Sequence, residues 1–434
     1  MQSTVLGVGL VWKSGTRRRW HSLKVVFFAN TDWYLYNFRR SLAEALGDAG
    51  HDVVLLSPCG PYGEKLRSLG FRWEPVPMAR RSLNPLRELR VVFWLKEFFR
   101  REQVDLVHSF TIKSAVYGAF AAKLAGVRSQ VNAVAGMGYV FSSDDLQARL
   151  LRFWVQLLVR GALGGRHSRL ILQNPDDVEL FQRKALVEAE LIRLIPGSGV
   201  DCNRFSPSDA SAQSPGDEAW NQRLADGGLA TQADSGSHSP LRVLLPARML
   251  WAKGVGEFVE AARMLKAEGR SIDFLLAGTP DPGNPGSVPA SQIRKWEAEG
   301  LVIWLGHVDD MPALFRAVNV VALPTAYGEG LPRGLIEAGA CGCPLITTDA
   351  PGCREVVVDG QNGFLIPLRD ASTLAAAIGR LHDDPALRER MGRAARAKVV
   401  REFDERVVIR RTLAVYQELL PTASFSRAPL SRTL

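Results

Sequence analysis

The chain predicts an α/β protein built from two doubly wound parallel sheets, and three observations carry that expectation. Its 434 residues exceed what one hydrophobic core fills, so two domains of roughly 150–200 residues each are expected. Short apolar and β-branched runs alternate with helical segments over short connections, the pattern of strand, helix and parallel strand. A Ser/Asp/Gly/Ala-rich stretch, 206–240, has Trp220, Leu224 and Leu229 as its few large apolar residues and divides the alternation into two series. It reads as a linker or mobile insert.

The first series opens at Lys24–Asn30, a β-branched and aromatic run expected as a buried strand. A loop, Thr31–Asn37, leads to a helix over about Phe38–Ala49 that Gly50 closes. Further strands are expected at Asp52–Ser57, Asp105–Ser109, Ser129–Ala135 and Leu170–Gln173, with helices ending at Gly70 and spanning Ala115–Leu124. Ligands of such sheets sit at the strand C-termini. That singles out the loops Asn30–Tyr34, Ser109–Lys113 and Ala135–Tyr139, the last with Gly136 and Gly138, which allow close backbone approach or simply tight turns. His108 reads as a half-buried residue at a strand end.

Composition narrows the function. Apolar content of 46% and charged content of 23% are those of a globular protein. No apolar run reaches the roughly 18–20 residues of a spanning helix. Residues 1–23 place Arg17–Arg19 after the apolar piece Val5–Trp12, the reverse of a secretory signal, so a disordered extension is expected. Five cysteines, odd in number and scattered, fit reduced thiols in a cytoplasm; Cys341 and Cys343 have no second Cys or His pair beside them to hold zinc. The net charge of +9 is uneven: residues 1–205 hold 29 Lys+Arg against 18 Asp+Glu (+11), leaving 25 against 27 (−2) for 206–434. A basic first half suits nucleic acid, anionic lipid or a phosphorylated substrate. Arg87–Arg101 and Ala148–Arg160 mix cations with large apolar residues at helical spacing, as surface-lying helices do and as core-facing helices also do; together with the basic half they favour an anionic membrane surface over nucleic acid.

The second series begins with a strand at Leu241–Arg248, a loop to Gly254 and a helix from Val255. Arg248 and Lys253, five residues apart on that loop, suit the two phosphates of a nucleoside diphosphate, or are ordinary solvated charges. Asp273–Gly278 is a strand ending at glycine, and 279–289 a Pro/Gly-rich loop. The strand Val320–Leu323 then leads through Pro324-Thr325 to Glu329-Gly-Leu-Pro-Arg-Gly-Leu-Ile-Glu337 and a helix start. A helix N-terminus suits a diphosphate, and two flanking carboxylates suit sugar and ribose hydroxyls. The helix dipole alone also favours acids there.

This Glu-x7-Glu stretch, with Cys341-Gly-Cys-Pro-Leu-Ile-Thr-Thr348 and Gly352-Cys-Arg-Glu355, resembles the signature of the retaining glycosyltransferases of family four. Arg248 and Lys253 match the family's cations, and Gly197–Asp201 resembles its interdomain turn. The resemblance covers roughly residues 24–420 and implies the GT-B fold, two Rossmann-like domains facing a cleft. Boundaries follow: extension 1–23, acceptor domain 24–205, insert 206–240, nucleotide-sugar domain 241–402, a helix over 403–420 crossing back to the first domain, and a disordered tail 421–434. It implies catalytic roles for Glu329, Arg248 and Lys253. Glu337 would bind the ribose, with Gly330, Leu331 and Gly278 beside the donor and the backbone of His307 and Val308 at the nucleobase. Pro332 stands where the family often has glycine and removes one N–H.

Within the family, the resemblance is to bacterial enzymes that add N-acetylgalactosamine or a related sugar to undecaprenyl-diphosphate-linked sugars. It implies a UDP-sugar donor, a lipid-linked acceptor met by Asn30, Arg39, Arg80, Arg81, Gly136 and Gly138, and peripheral work on the cytoplasmic face of the inner membrane. No Asp-x-Asp pair occurs in the chain, so protein cations are expected in place of a metal, and no cofactor is expected. Three alternatives stay open: a soluble acceptor, a UDP-sugar 2-epimerase of the same fold, and a non-catalytic nucleotide-sugar-binding module.

Overall fold

The computed structural model describes residues 22–79, 84–134, 146–207, 240–423 and 425, without the side chains of 146–154. Arg80, Arg81, Gly136 and Gly138 lie outside the described residues, as do 1–21, most of the 206–240 insert and most of the tail.

Two parallel sheets form the molecule. The first has strands β1 Lys24–Phe28, β2 Asp52–Ser57, β3 Arg72–Pro75, β4 Leu106–Phe110, β5 Ser129–Val134, β6 Ser168–Leu172 and β7 Ile192–Leu194, in spatial order β3-β2-β1-β4-β5-β6-β7. The second has β8 Leu241–Pro246, β9 Ile272–Ala277, β10 Ile303–Gly306, β11 Val320–Leu323, β12 Leu345–Thr348 and β13 Gly363–Ile366, in order β10-β9-β8-β11-β12-β13. The strands pair in parallel throughout both sheets. Helices cover both faces, which is why strands such as β4 and β5 are buried at every position. Strand order reverses between β1 and β4 in one sheet and between β8 and β11 in the other. Those are the crevices where doubly wound sheets take ligands.

The chain crosses between the halves twice. After β7 it passes through Gly197–Asp201, and Val200, Cys202 and Phe205 join the second core beside Leu335 and Phe403. Helix Pro385–Glu402 packs on the second sheet, and helix Glu405–Leu419 returns to bury Val408, Val415 and Tyr416 against Val25 and Phe27. The crossings are tied together: Val200 N–H donates to Phe403 O at 2.9 Å and Glu405 N–H to Val200 O at 3.0 Å. Gly199 has a φ of +78°, and a Cβ there would sit 2.5 Å from Glu405 Cα, so no other residue fits.

Several elements differ from the sequence expectation. The expected loop 31–37 is largely helix Asp32–Phe38, started by Thr31, whose hydroxyl accepts the Tyr34 N–H at 3.2 Å; aromatic residues, weak helix formers, hid it. A break at Arg39 separates this helix from Arg40–Asp48. β3, β12 and β13, four residues each, lack the uniformly apolar run that marks the equally short β11, so the sequence expectation does not include them. His108 is wholly buried rather than half-buried, its Nδ1 2.6 Å from the Tyr416 hydroxyl. Burial holds its pKa well below the usual histidine value, with Arg39 adding to the effect.

Candidate functional site

Both elements that supply the candidate donor residues leave the second sheet at its switch point. β8 ends at Pro246, and the chain runs through Arg248 and Lys253 before helix Val255–Ala267. Gly254 makes that turn at φ +76°, where a Cβ would lie 2.0 Å from Pro324 O. Close approach of the two loops therefore requires glycine, and it brings Lys253 to the loop after β11. There the Lys253 ammonium pairs with Glu329 Oε1, both side chains largely buried, and the Thr325 hydroxyl stands 3.1 Å from the same oxygen. Burial works against the charge on Lys253, but Glu329 and then Tyr327 outweigh it and raise its pKa, so the cation persists across the physiological range.

Glu329 sits on a backbone fixed from behind. Its N–H donates to Pro351 O at 2.8 Å, and Gly352 (φ +83°) packs so closely that a Cβ would be 2.4 Å from Glu329 O. Three residues on, Pro332 begins helix Arg333–Ala340 with no side-chain cap, and proline suits that place because a first-turn N–H has no intrahelical partner to lose. Glu337 lies one turn into this helix and accepts from Arg333 Nε at 2.6 Å. Arg333 also donates to Ser198 Oγ at 3.2 Å and covers the Phe38 ring at 4.5 Å, so it joins the helix to the first half of the molecule.

The remaining donor candidates surround this pair of loops. Arg248 is 54% exposed on the side chain and bonds Asp281 Oδ2 at 2.8 Å. Gly278, at φ +142°, donates its N–H to Gly306 O at 2.7 Å, and a Cβ there would meet Ala247 O at 1.9 Å. His307 is exposed and 3.3 Å from Asp309, while the Val308 side chain is buried in the second core. Gly330 and Leu331 are half-buried between Glu329 and the helix. Among the described residues no group of three His, Cys, Asp or Glu side chains is arranged to hold a metal ion.

On the first sheet, Asn30 is half-buried at the end of β1. Arg39, expected at an acceptor diphosphate, is only 5% exposed. Its Nη2 donates to the Tyr34 hydroxyl at 2.8 Å and its guanidinium lies 4.4 Å from the Phe110 ring centroid, so in this arrangement it serves the core.

Two residues that sequence reasoning missed stand at the cleft. Asn174, at the end of β6, bonds backbone oxygens of the Glu329 loop across it. Asp177, in the first turn of helix Pro175–Arg183, has its pKa pushed up to about 6 by burial, with Asp176 and Glu355 adding to the rise and Asn174 opposing it. The signal that finds Asn174 is an Asn-Pro pair directly after an apolar strand, a helix cap on the ligand side of the sheet.

Two Rossmann-like parallel sheets with a cleft between them, cations and carboxylates converging at one switch point, define a GT-B glycosyltransferase. Residues 232–398 match the model of the glycosyl transferases group 1 family, and residues 37–197 match that of the glycosyl transferase 4-like domain. The chain is 28% identical over 92% of its length, and 99% of the relative's, to the N,N'-diacetylbacillosaminyl-diphospho-undecaprenol alpha-1,3-N-acetylgalactosaminyltransferase of Campylobacter jejuni. It is 26% identical over 76% of its length, and 79% of the relative's, to the UDP-Gal:alpha-D-GlcNAc-diphosphoundecaprenol alpha-1,3-galactosyltransferase of Escherichia coli. The same fold recurs in a glycosyltransferase from Rickettsia africae (TM-score 0.73, 18% identity, 92% of this chain and 99% of that one) and in Anabaena HepE in complex with UDP (TM-score 0.70, 20% identity, 91% and 100%).

Proposed function

We propose that this glycosyltransferase moves a hexosyl or N-acetylhexosaminyl unit from a UDP-sugar to a polyprenyl-diphosphate-linked sugar, with retained anomeric configuration, in bacterial surface-polysaccharide or glycan assembly. The observation that carries the donor side is the buried Lys253–Glu329 pair at the β8/β11 crevice, one helical segment away from Glu337. The names of the Campylobacter and Escherichia relatives, both acting on undecaprenyl-diphosphate-linked sugars, support the acceptor.

In this reading the diphosphate lies against Lys253, Arg248 and the start of helix Arg333–Ala340, with Glu337 on the ribose and Glu329 on the sugar. As the anomeric carbon–oxygen bond breaks, negative charge grows on the leaving phosphate. Lys253, largely buried, meets that charge where a fixed donor contributes several kcal/mol, on the order of 3, and Arg248 adds a second, more exposed cation. The acceptor hydroxyl attacks from the face the phosphate leaves, forming the new carbon–oxygen bond, and the departing phosphate oxygen takes the hydroxyl proton. Lys253, held charged, supplies the compensation without a metal.

The chain would work peripherally on the cytoplasmic face of the inner membrane. No described helix is long and apolar enough to cross a membrane. Helix Pro85–Arg101 buries Val91, Leu95 and Phe98 in the core yet leaves Leu86, Leu89 and Phe93 exposed at i, i+3 and i+7, with Arg87 and Arg90 exposed beside them. That row suits an anionic lipid surface, each well-seated cation adding about 1 kcal/mol.

A donor screen with a synthetic polyprenyl-diphosphate sugar, read by product mass, tests the proposal. A gain of one sugar that disappears in Glu329→Ala is expected. Transfer to soluble sugars alone would overturn the acceptor assignment, and conversion of a UDP-sugar without acceptor would mark an epimerase instead.

A further inference from the structure

β6 ends at Leu172, and the chain turns through Gln173 and Asn174 into helix Pro175–Arg183. Asn174 is 0% exposed. Its Oδ1 accepts the Asp177 N–H at 2.7 Å, as the side chain of a helix cap ordinarily does. The amide nitrogen does more than cap the helix, since Nδ2 lies 3.0 Å from Gly330 O, 3.2 Å from Glu329 O and 3.0 Å from Asp177 Oδ2. An amide carries two N–H donors, so one goes to the Asp177 carboxylate and the other is shared by two successive carbonyls of the opposite domain. A serine or threonine would cap the helix equally well but has one hydroxyl proton, on a shorter arm. The cross-cleft bonds account for asparagine at this position.

The two carbonyls belong to the successive peptides on either side of the Gly330 Cα, so holding them fixes the backbone that leads out of Glu329 and with it the direction of the Glu329 side chain. Gly352 grips the same loop from the other side, where any Cβ would clash with Glu329 O. Beside this contact Arg354 Nη1 reaches Asp176 Oδ1 at 3.3 Å, a second bridge between the halves.

We propose that Asn174 is a positioning residue for glycosyl transfer: its amide, reaching across the cleft from the first domain, holds the Glu329 and Gly330 carbonyls and thereby aims the Glu329 carboxylate at the donor sugar. The inference rests on the reading of Glu329 as a donor-site residue. It makes the donor half of the site incomplete until the two domains meet at Asn174, and it assigns the dependence to the transfer step more than to nucleotide binding.

The test compares Asn174→Ala and Asn174→Asp with Glu329→Ala and with a cap-loss control, Asp384→Ala. Asp384 caps helix Pro385–Glu402, accepting the Leu387 N–H at 2.8 Å, near the N-terminal ends of β8 and β9, opposite the cleft. Full-length variants are assayed with the UDP-sugar and synthetic polyprenyl-diphosphate acceptor that give product, alongside UDP affinity by calorimetry and melting temperature. Asn174→Asp retains the cap oxygen but turns a carboxylate toward two carbonyls. Its kcat is expected to fall tenfold or more while UDP affinity stays within twofold. A protonated aspartic acid can donate one hydrogen bond, so the kcat deficit of Asn174→Asp relative to wild type should narrow toward acid pH. The acids facing the site, Asp176, Asp177 and Glu355, favour that protonation, whereas Arg354 opposes it. Asp384→Ala should lower the melting temperature and leave kcat unchanged. Wild-type kcat in both Asn174 variants, with Glu329→Ala inactive, overturns the positioning role and leaves the donor reading standing. A kcat loss in Asn174→Asp that tracks its melting temperature as in Asp384→Ala, with no pH-dependent recovery, also overturns it. Full activity of Glu329→Ala overturns both.

Discussion

The two sheets share a topology, yet their switch-point crevices are put to opposite uses. At the crevice between β8 and β11, Gly254 lets two loops approach closely and Lys253 meets Glu329 across them, while Arg333 meets Glu337 one turn along the helix that follows. At the crevice between β1 and β4, the equivalent charges are spent on the fold. Asp32 accepts the N–H groups of Trp33, Tyr62 and Gly63 at 2.7–2.9 Å, tying the loop after β1 to the start of helix Gly63–Ser68. Arg39 lies over Phe110, and His108 is locked to Tyr416 of the returning helix. On the proposed reading, the same fold carries a chemical site at one switch point and a structural knot at the other, and function follows from the side chains at the loops rather than from the architecture.

The largest effect that would break this contrast is at Glu329. Glu329→Ala should cut kcat per folded molecule by about 10²–10³-fold, by analogy with loss of one preorganised electrostatic group, and should also lower the melting temperature because Lys253 loses its buried partner; steady-state kinetics with a lipid-linked acceptor, normalised to folded protein, checks it. Asp32→Ala should do the converse, since it strands two buried or half-buried N–H groups. A stability loss of about 2–3 kcal/mol by urea unfolding is expected, with kcat per folded molecule unchanged. A kcat loss there would show that the first crevice also does chemistry.

The titration of Asp177 sharpens the picture at the seam. Its folded pKa, about 6, exceeds the ordinary 3.8, so the folded state holds the proton more tightly and stability falls as pH rises from about 4 through 6, then levels off. Asp177→Asn should remove this slope, being more stable than wild type at pH 7.5 by about 1–3 kcal/mol and losing that advantage near pH 4.5. Denaturant melts at the two pH values give the comparison. The smallest effect is expected at Glu337, whose loss should raise the donor KM about tenfold, roughly 1.4 kcal/mol, with kcat nearly unchanged, as for an interaction made equally in ground and transition states.

The sequence disclosed the second crevice far better than the first. Val320–Leu323 is the strand expected, residue for residue, and short spacings brought Arg248, Lys253, Glu329 and Glu337 onto two loop-to-helix segments that the topology makes neighbours. Local spacing was enough because each pair of residues rides on one short loop-to-helix segment. In the first half, the decisive contacts join residues far apart in the chain: His108 with Tyr416, and Asn174 with Glu329 and Gly330. No local pattern encodes these. Arg39 reads as a surface cation beside Arg40, and only the break between two helices turns it into the core. Asn174-Pro175-Asp176-Asp177 reads as a helix start, which it is, and the second use of its amide is visible only once the domains are assembled.

Calorimetric titration of UDP compares the two crevices most directly. Lys253→Ala should weaken UDP binding at least tenfold, because the cation facing the diphosphate is gone, while Asn30→Ala at the first crevice leaves the affinity unchanged. Equal UDP affinity in wild type and Lys253→Ala, or loss of binding in Asn30→Ala instead, would contradict the assignment of the donor to the β8/β11 crevice.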